Sequence, residues 1–223
     1  MRDDAFRPIA LPERLEDLFG FFAACPCGRT HAVELAAASI RPGAVEDVVE
    51  LVRDVVPRPR VLVVCDRVTR RVAGDRVAEL LRAAGGRPAV AELPDGAGGR
   101  PHATDESVAH IEGALGLFDL AVAVGAGTVN DVTKLATFRR EMPYIAVGTA
   151  ASMNGYASGI AAILSGGVKR TVTCHQPRAV VLDLDVLAAA PPELTAAGLG
   201  DLESKPTSTA DFRLGARLRG GYH

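Results

Sequence analysis

The feature that most constrains this chain is its rhythm from residue 60 onward, where short, unbroken apolar runs alternate with stretches of helical pattern. Uninterrupted Val, Ile and Leu suit strands covered on both faces, and strands separated by helices suit βαβ units feeding a parallel sheet. The first run covers 60–66, and an amphipathic stretch over 68–84 follows it, stopping at Gly85-Gly86 as a helix stops at glycine. A second strand is expected over 88–93, then a loop rich in Gly and Pro as far as His102. Thr104 with Ser107 starts a helix that runs to Leu115. The third strand, 119–124, passes directly into Gly125-Ala126-Gly127-Thr128 and a helix carrying Val129, Val132 and Leu135; a fourth covers 144–147. Before this series, 33–40 reads as an edge strand and 43–56 as a helix. After it, 179–183 reads as a strand, and Pro191-Pro192 opens a helix in the manner of proline at a first turn.

These units predict an α/β fold, a Rossmann-like parallel sheet flanked by helices. The residue choice shifts near Ala188 from strand-forming to helix-forming types. The expected division is therefore an α/β domain over 1–188 and the first helices of an α-helical second domain over 189–223. There is no internal repeat and no low-complexity tract.

Lys and Arg number 25 against 27 Asp and Glu, a net charge of -2, so no basic field is available to collect nucleic-acid phosphates. Met1-Arg2-Asp3-Asp4 lacks the pattern of a signal peptide, and no apolar stretch approaches the ~20 residues needed to span a bilayer. A cytoplasmic location without membrane or nucleic-acid partners is expected. Four cysteines are too few for a disulfide scaffold; Cys65 ends an apolar run and reads as core. Cys25-Pro26-Cys27-Gly28-Arg29-Thr30-His31 offers three ligands, one short of a closed structural zinc site, and reads as a packed turn with metal binding the alternative.

The chemistry is expected where strands end. Gly125 and Gly127 remove side chains where a phosphate must approach the backbone, and a helix start beyond them supplies free amides and a positive dipole end. The loop is not a G-x-G-x-x-G fingerprint, because Asn130 stands at the third glycine, and a plain tight turn is the competing reading. Asp66, at the carboxyl end of its strand, can accept two ribose hydroxyls or cap the next helix. Arg67, Arg70 and Arg71 beside it could instead receive a 2'-phosphate, so NAD and NADP both stay open. The segment 147–158 is rich in small and hydroxyl residues, among them Thr149, Ser152 and Ser158, and can carry a flat ring against its backbone or be a simple loop.

Three motifs then occur in order: residues 125–134 (GAGTVNDVTK), 149–158 (TAASMNGYAS) and 197–202 (AGLGDL). Together they resemble the sn-glycerol-1-phosphate dehydrogenases, particularly the bacterial branch, within the superfamily of dehydroquinate synthases and metal-dependent alcohol dehydrogenases. The resemblance implies a dehydroquinate synthase-like N-terminal domain, NAD or NADP as cofactor, and a divalent metal such as zinc. It implies reduction of dihydroxyacetone phosphate, a small phosphorylated substrate, to sn-glycerol 1-phosphate by a homo-oligomer. By the same resemblance Gly125, Ala126, Gly127, Thr128 and Val129 hold the pyrophosphate and Asp66 the adenosine end. Thr149, Ala150, Ala151, Ser152 and Ser158 match further cofactor contacts. Asp201 matches a carboxylate that ligates the metal and touches substrate; Asn154 matches a substrate-contacting position, and Lys169 could hold the substrate phosphate or be a solvated lysine.

The chain departs from the family pattern at Ala126, where a middle glycine is usual, and at Asn154, where Asp is usual. None of His31, His102, His110, His175 or His223 matches the family's two metal-binding histidines, which lie beyond residue 223. The C-terminal helical domain is therefore expected to be missing, and the 223-residue chain alone inactive or nearly so. The alternatives are a dehydroquinate synthase-like NAD-dependent cyclase and a non-catalytic nucleotide-binding module.

Overall fold

The computed structural model describes residues 10–24, 28 and 30–219, Arg219 by its backbone only. The N-terminal residues 1–4, the Cys25 and Cys27 cluster and the Gly220-Gly221-Tyr222-His223 tail lie outside these described residues. The core is a six-stranded sheet of β3 (Ala37–Arg41), β10 (Ala179–Asp183), β7 (Tyr144–Gly148), β6 (Leu120–Gly125), β4 (Val61–Asp66) and β5 (Ala89–Leu93), in that spatial order. All five pairings are parallel.

Side-chain alternation along each central strand sorts its residues onto two apolar layers. Leu62, Val64, Ala121, Ala123 and Ala146 face one layer with α4 (Asp105–Ala114) and α5 (Gly127–Arg139). Val61, Val63, Cys65, Val122, Val124 and Val147 face the other, with α1 (Val48–Val55) and α3 (Asp75–Ala83). Every residue of β6 and β7 is buried, which is why these strands read as continuous apolar runs. Burial pushes the Cys65 thiol up to about 12, so it packs as a small apolar group.

The elements follow the sequence reading with instructive shifts. The edge strand begins at Ala37 rather than residue 33. The helix expected over 43–56 starts as a 3-10 turn, Ala44–Asp47, before becoming α1. Buried Asp183, at the end of β10, accepts from the amides of Gly43, Val45 and Asp185 and so ties that turn to the sheet. The helix after β4 begins at Arg67 as α2 (Arg67–Thr69) and passes through a π turn, Arg70–Gly74, into α3. Thr104 caps α4 by accepting from the Ser107 amide, as expected. Between β10 and α7 (Pro192–Arg219) lies a short helix, α6 (Leu184–Ala188).

Two hairpins were not anticipated. One is small, β1 (Phe22–Ala24) with β2 (Thr30–Ala32); the other joins β8 (Ile160–Ser165) to β9 (Val168–Thr173) through Gly166-Gly167. Both glycines have positive φ, 57° and 80°, as a two-residue primed turn requires. The larger hairpin seats itself beside α5, where the Ala162 amide donates to Asp131 at 3.0 Å, and the Leu164 amide donates to Ala103. No described helix is long and apolar enough to cross a membrane.

Candidate functional site

The chain runs from β4 outward to β5 and then returns to place β6 on the other side of β4. At such a reversal the loops leaving two neighbouring strands diverge and open a crevice at their carboxyl ends. Asp66 and Gly125 end these two strands, and a cleft of about 520 Å3 lies beyond them.

Eight of the expected cofactor residues line this cleft: Asp66, Ala126, Gly127, Thr128, Val129, Thr149, Ala150 and Ser152. An apolar part of its lining comes from Val186 of α6, the linking residues Ala189, Ala190 and Pro191, and Leu194 of α7. Ala126 is extended, at φ -97° and ψ -155°, and no side chain caps α5. The first amides of that helix therefore lack an intrahelical partner and face open space, with the dipole's positive end behind them. This is a cradle for an anion. A Cβ on Gly127 would meet only Met153 Sδ, at 3.4 Å, so that glycine keeps backbone accessible.

Gly125 works differently. It is buried and does not line the cleft, and a Cβ there would stand 2.5 Å from Val129 Cβ. It lets α5 begin hard against β6. Ala151 also stays off the cleft wall; its carbonyl oxygen would be 1.9 Å from a Cβ on Gly198, so α7 rests on this loop through a glycine. Tyr156 locks the two loops together, its hydroxyl donating to Ala150 at 2.7 Å and to Gly125 at 3.4 Å. Burial pushes this hydroxyl up to about 12, so it remains a donor.

Asp66 both lines the cleft and caps α2, with Oδ1 accepting from the amides of Val68 and Thr69, each at 2.8 Å. The two readings left open by the sequence are thus compatible. Of the neighbouring arginines, Arg67 is paired with Asp95 at 3.1 Å, and Arg70 with Asp75 and Glu92.

A second cavity of about 570 Å3 adjoins the first across Gly127 and Thr128 and is lined by Asn154, Ser158, Lys169 and Asp201, the remaining expected substrate and cofactor residues. Asp201 Oδ2 accepts from the Asn154 amide at 3.0 Å, and Oδ1 receives Lys205 Nζ at 3.1 Å. The Asn154 amide, then Lys205, holds this carboxyl below the usual carboxylate range, so it is ionised at neutral pH.

Two residues that carry this cavity were not assigned a role from sequence. Lys134 is fully buried, and its Nζ donates to the carbonyls of Ile160 at 2.8 Å and Gly155 at 3.2 Å, and to Ser158 Oγ at 3.3 Å. Asp131, one turn earlier, lies 3.5 Å from the same Nζ. Burial drives the pair toward neutrality from both sides, lowering the lysine and raising the aspartate, while their mutual attraction opposes it. The signal available in the sequence was the i, i+3 spacing of Asp131 and Lys134 immediately beyond the glycine loop.

The architecture suggests two groups, a dinucleotide and a metal ion. A dinucleotide fits the uncapped helix start and the two cavities that meet at Gly127 and Thr128. A metal centre does not: among the described residues no group of three His, Cys, Asp or Glu could hold an ion, and both Asp201 oxygens are already engaged.

The sequence model of the iron-containing alcohol dehydrogenases matches residues 39–191, more than half the chain. The chain belongs to the iron-containing alcohol dehydrogenase family. Its curated relatives in that family include glycerol-1-phosphate dehydrogenase (NAD(P)+) of Methanosarcina barkeri, 36% identical over 180 residues, which are 81% of this chain and 49% of that protein. The enzyme of the same name from Bacillus velezensis is 34% identical over 160 residues, covering 71% of this chain and 41% of that protein. The chain spans about half the length, or somewhat less, of the curated relatives it matches. Among solved structures, a 1,3-propanediol oxidoreductase superposes with a TM-score of 0.66 at 20% identity, over 75% of this chain and 49% of that one. A probable glycerol dehydrogenase from Sinorhizobium meliloti gives 0.63 at 22%, over 75% and 44%. At such identities these structures show a shared fold.

Proposed function

We propose that this chain is the nucleotide-binding part of an NAD(P)H-dependent dehydrogenase that, in its full-length form, reduces dihydroxyacetone phosphate to sn-glycerol 1-phosphate. In this reading residues 1–188 form the nucleotide-binding domain and 189–223 begin a helical one. The observation that carries it is the uncapped start of α5, open to a cleft at the sheet's switch point and continuous with the cavity of Asn154, Lys169 and Asp201. The names of relatives at 34–36% identity support the same reaction.

The roles follow from chemistry. Amides of Gly127, Thr128 and Val129 bind the pyrophosphate, where fixed donors and a helix dipole meet two negative charges without reorganising. Asp66 receives the ribose, and Thr149, Ala150 and Ser152 support the ring-bearing half, which lies toward the second cavity. When bound, the reduced nicotinamide supplies the hydride. Lys169 meets the substrate phosphate, and the Asn154 loop, pinned by Lys134, shapes the floor beneath the carbonyl. Lys134 also fixes Ser158, which is the contact it can offer a ligand. A divalent ion such as zinc, with Asp201 as one ligand, belongs to this proposal for the full-length form only, where further ligands would have to join it.

The test is titration of NADH fluorescence against the protein and its Gly127→Val variant, together with NADH oxidation on dihydroxyacetone phosphate. The expected outcome is saturable binding weakened at least about tenfold, or ~1.4 kcal/mol, by the substitution. The 223-residue chain alone should show no turnover, and a longer form carrying further ligands should. Binding indifferent to Gly127→Val, or full activity in the 223-residue chain, overturns the assignment.

The engagement of both Asp201 oxygens favours a second reading, a module that binds the dinucleotide without reacting. Cofactor binding without turnover in a longer form supplied with metal would select it.

A further inference from the structure

At the amino-terminal end of the sheet, opposite the cleft, lies a cavity of about 630 Å3 that the dehydrogenase reading does not use. Its floor is apolar, formed by Val52 of α1, Val61 at the start of β4 and Leu81 of α3, all nearly inaccessible. Four arginines stand around it, Arg53, Arg58, Arg60 and Arg87, and among the described residues no Asp or Glu contributes to the lining.

The four differ in how their charge is answered. Arg60 is gripped by Asp119 through two side-chain bonds of 2.9 and 3.1 Å. Arg53 donates to the Ala84 carbonyl at 2.9 Å, which orients the guanidinium without cancelling its charge. Arg58 and Arg87 make no hydrogen bond or ion pair among the described residues. Three exposed arginines with no carboxylate partner among the described residues thus line one cavity in a chain whose net charge is -2. Arg58, between Pro57 and Pro59, is also one of two non-glycine residues with positive φ among the described residues, at 56°. Pro59 disfavours the ordinary helical region for Arg58, and a positive φ at a non-glycine residue is a further conformational cost of this loop.

We propose that this cavity binds a small organophosphate with an apolar body. Its phosphate is received by Arg58 and Arg87, with Arg53 behind them, and its apolar part lies on Val52, Val61 and Leu81. Guanidinium forks match phosphate oxygens in geometry as well as charge, and an apolar pocket of this size with a few convergent cations suits a small ligand.

Phenyl phosphate is a suitable probe, followed through the amide NMR signals of Val52, Val61, Gly85 and Gly86. Saturable shifts at these amides are expected, with inorganic phosphate alone and phenol alone binding at least tenfold more weakly. Arg58→Gly adopts the positive φ without strain, so it should keep or raise the melting temperature while weakening phenyl phosphate at least fivefold. Arg58→Gly combined with Arg87→Ala should abolish binding and leave NADH affinity within twofold. Shifts confined to Gly127, Thr128 and Val129, equal binding of inorganic phosphate, or undiminished affinity in the double variant would each overturn the proposal.

Discussion

Strand β6 and helix α7 carry comparable apolar residues and meet opposite fates. Every side chain of Leu120–Gly125 is buried between two layers, whereas Leu199, Leu202, Phe212, Leu214 and Leu218 along α7 are 56–75% exposed. Burial follows from position in a layered fold rather than from hydropathy of the residue itself. Helix α7 touches the rest of the molecule near its start, where Gly198 rests on Ala151 and Asp201 accepts from Asn154, and residues 202–214 are all exposed. It also contains Pro206 in its interior, which removes a helical hydrogen bond. The sheet region is held by packing; the bonds within α7 include its backbone ladder and the Asp201–Lys205 pair at 3.1 Å.

That contrast can be broken or sharpened by substitution. The largest effect belongs to Lys134→Met, which deletes three donated hydrogen bonds and strands Asp131 in a largely dry site. A loss of about 3–5 kcal/mol in urea unfolding is expected; a change below 1 kcal/mol would show that this ion pair is not part of the core. Gly125→Ala forces a methyl to within 2.5 Å of Val129 Cβ and should lower stability by about 3 kcal/mol.

The acid limb of the stability curve gives a smaller effect. Asp119, held by Arg60, lies well below its ordinary 3.8, at about 2. A carboxyl depressed on folding stabilises the fold above its unfolded value and loses that contribution as pH falls toward the folded one. Asp119→Asn should therefore flatten the pH dependence of the melting temperature between 3.8 and about 2, modestly, because the pair is solvent-screened. The smallest effect is Leu214→Ser on α7, a residue 56% exposed, with a change within about 0.5 kcal/mol. A larger loss would place that face against a partner surface.

The legibility of the fold followed the same division. Strands β4, β6 and β7 were readable because burial on both faces demands unbroken apolar runs. The cap at Thr104 was readable because a hydroxyl three residues before a free amide has one common use. The β8–β9 hairpin was not assigned, since Val168–Thr173 reads as polar and is mostly exposed, although Gly166-Gly167 between β-branched runs was a usable turn signal. In the candidate site, the glycine loop and the loop after β7 were legible as motifs. That Gly125 serves packing while Gly127 serves access was not, because the two glycines differ only in what stands opposite them.

Local pattern alone determined that this chain makes parallel strands joined by helices, with a bare helix start after its third long apolar run, since apolar periodicity and glycine placement are properties of neighbouring residues. Only the tertiary structure decided that Asp66 faces the same cleft as Ala126, that Lys134 ties Gly155, Ser158 and Ile160 together, and that Asp201 reaches Asn154. Those meetings join residues 21–60 positions apart along the chain, and strand order and side-chain direction bring such residues together in ways that no local pattern encodes.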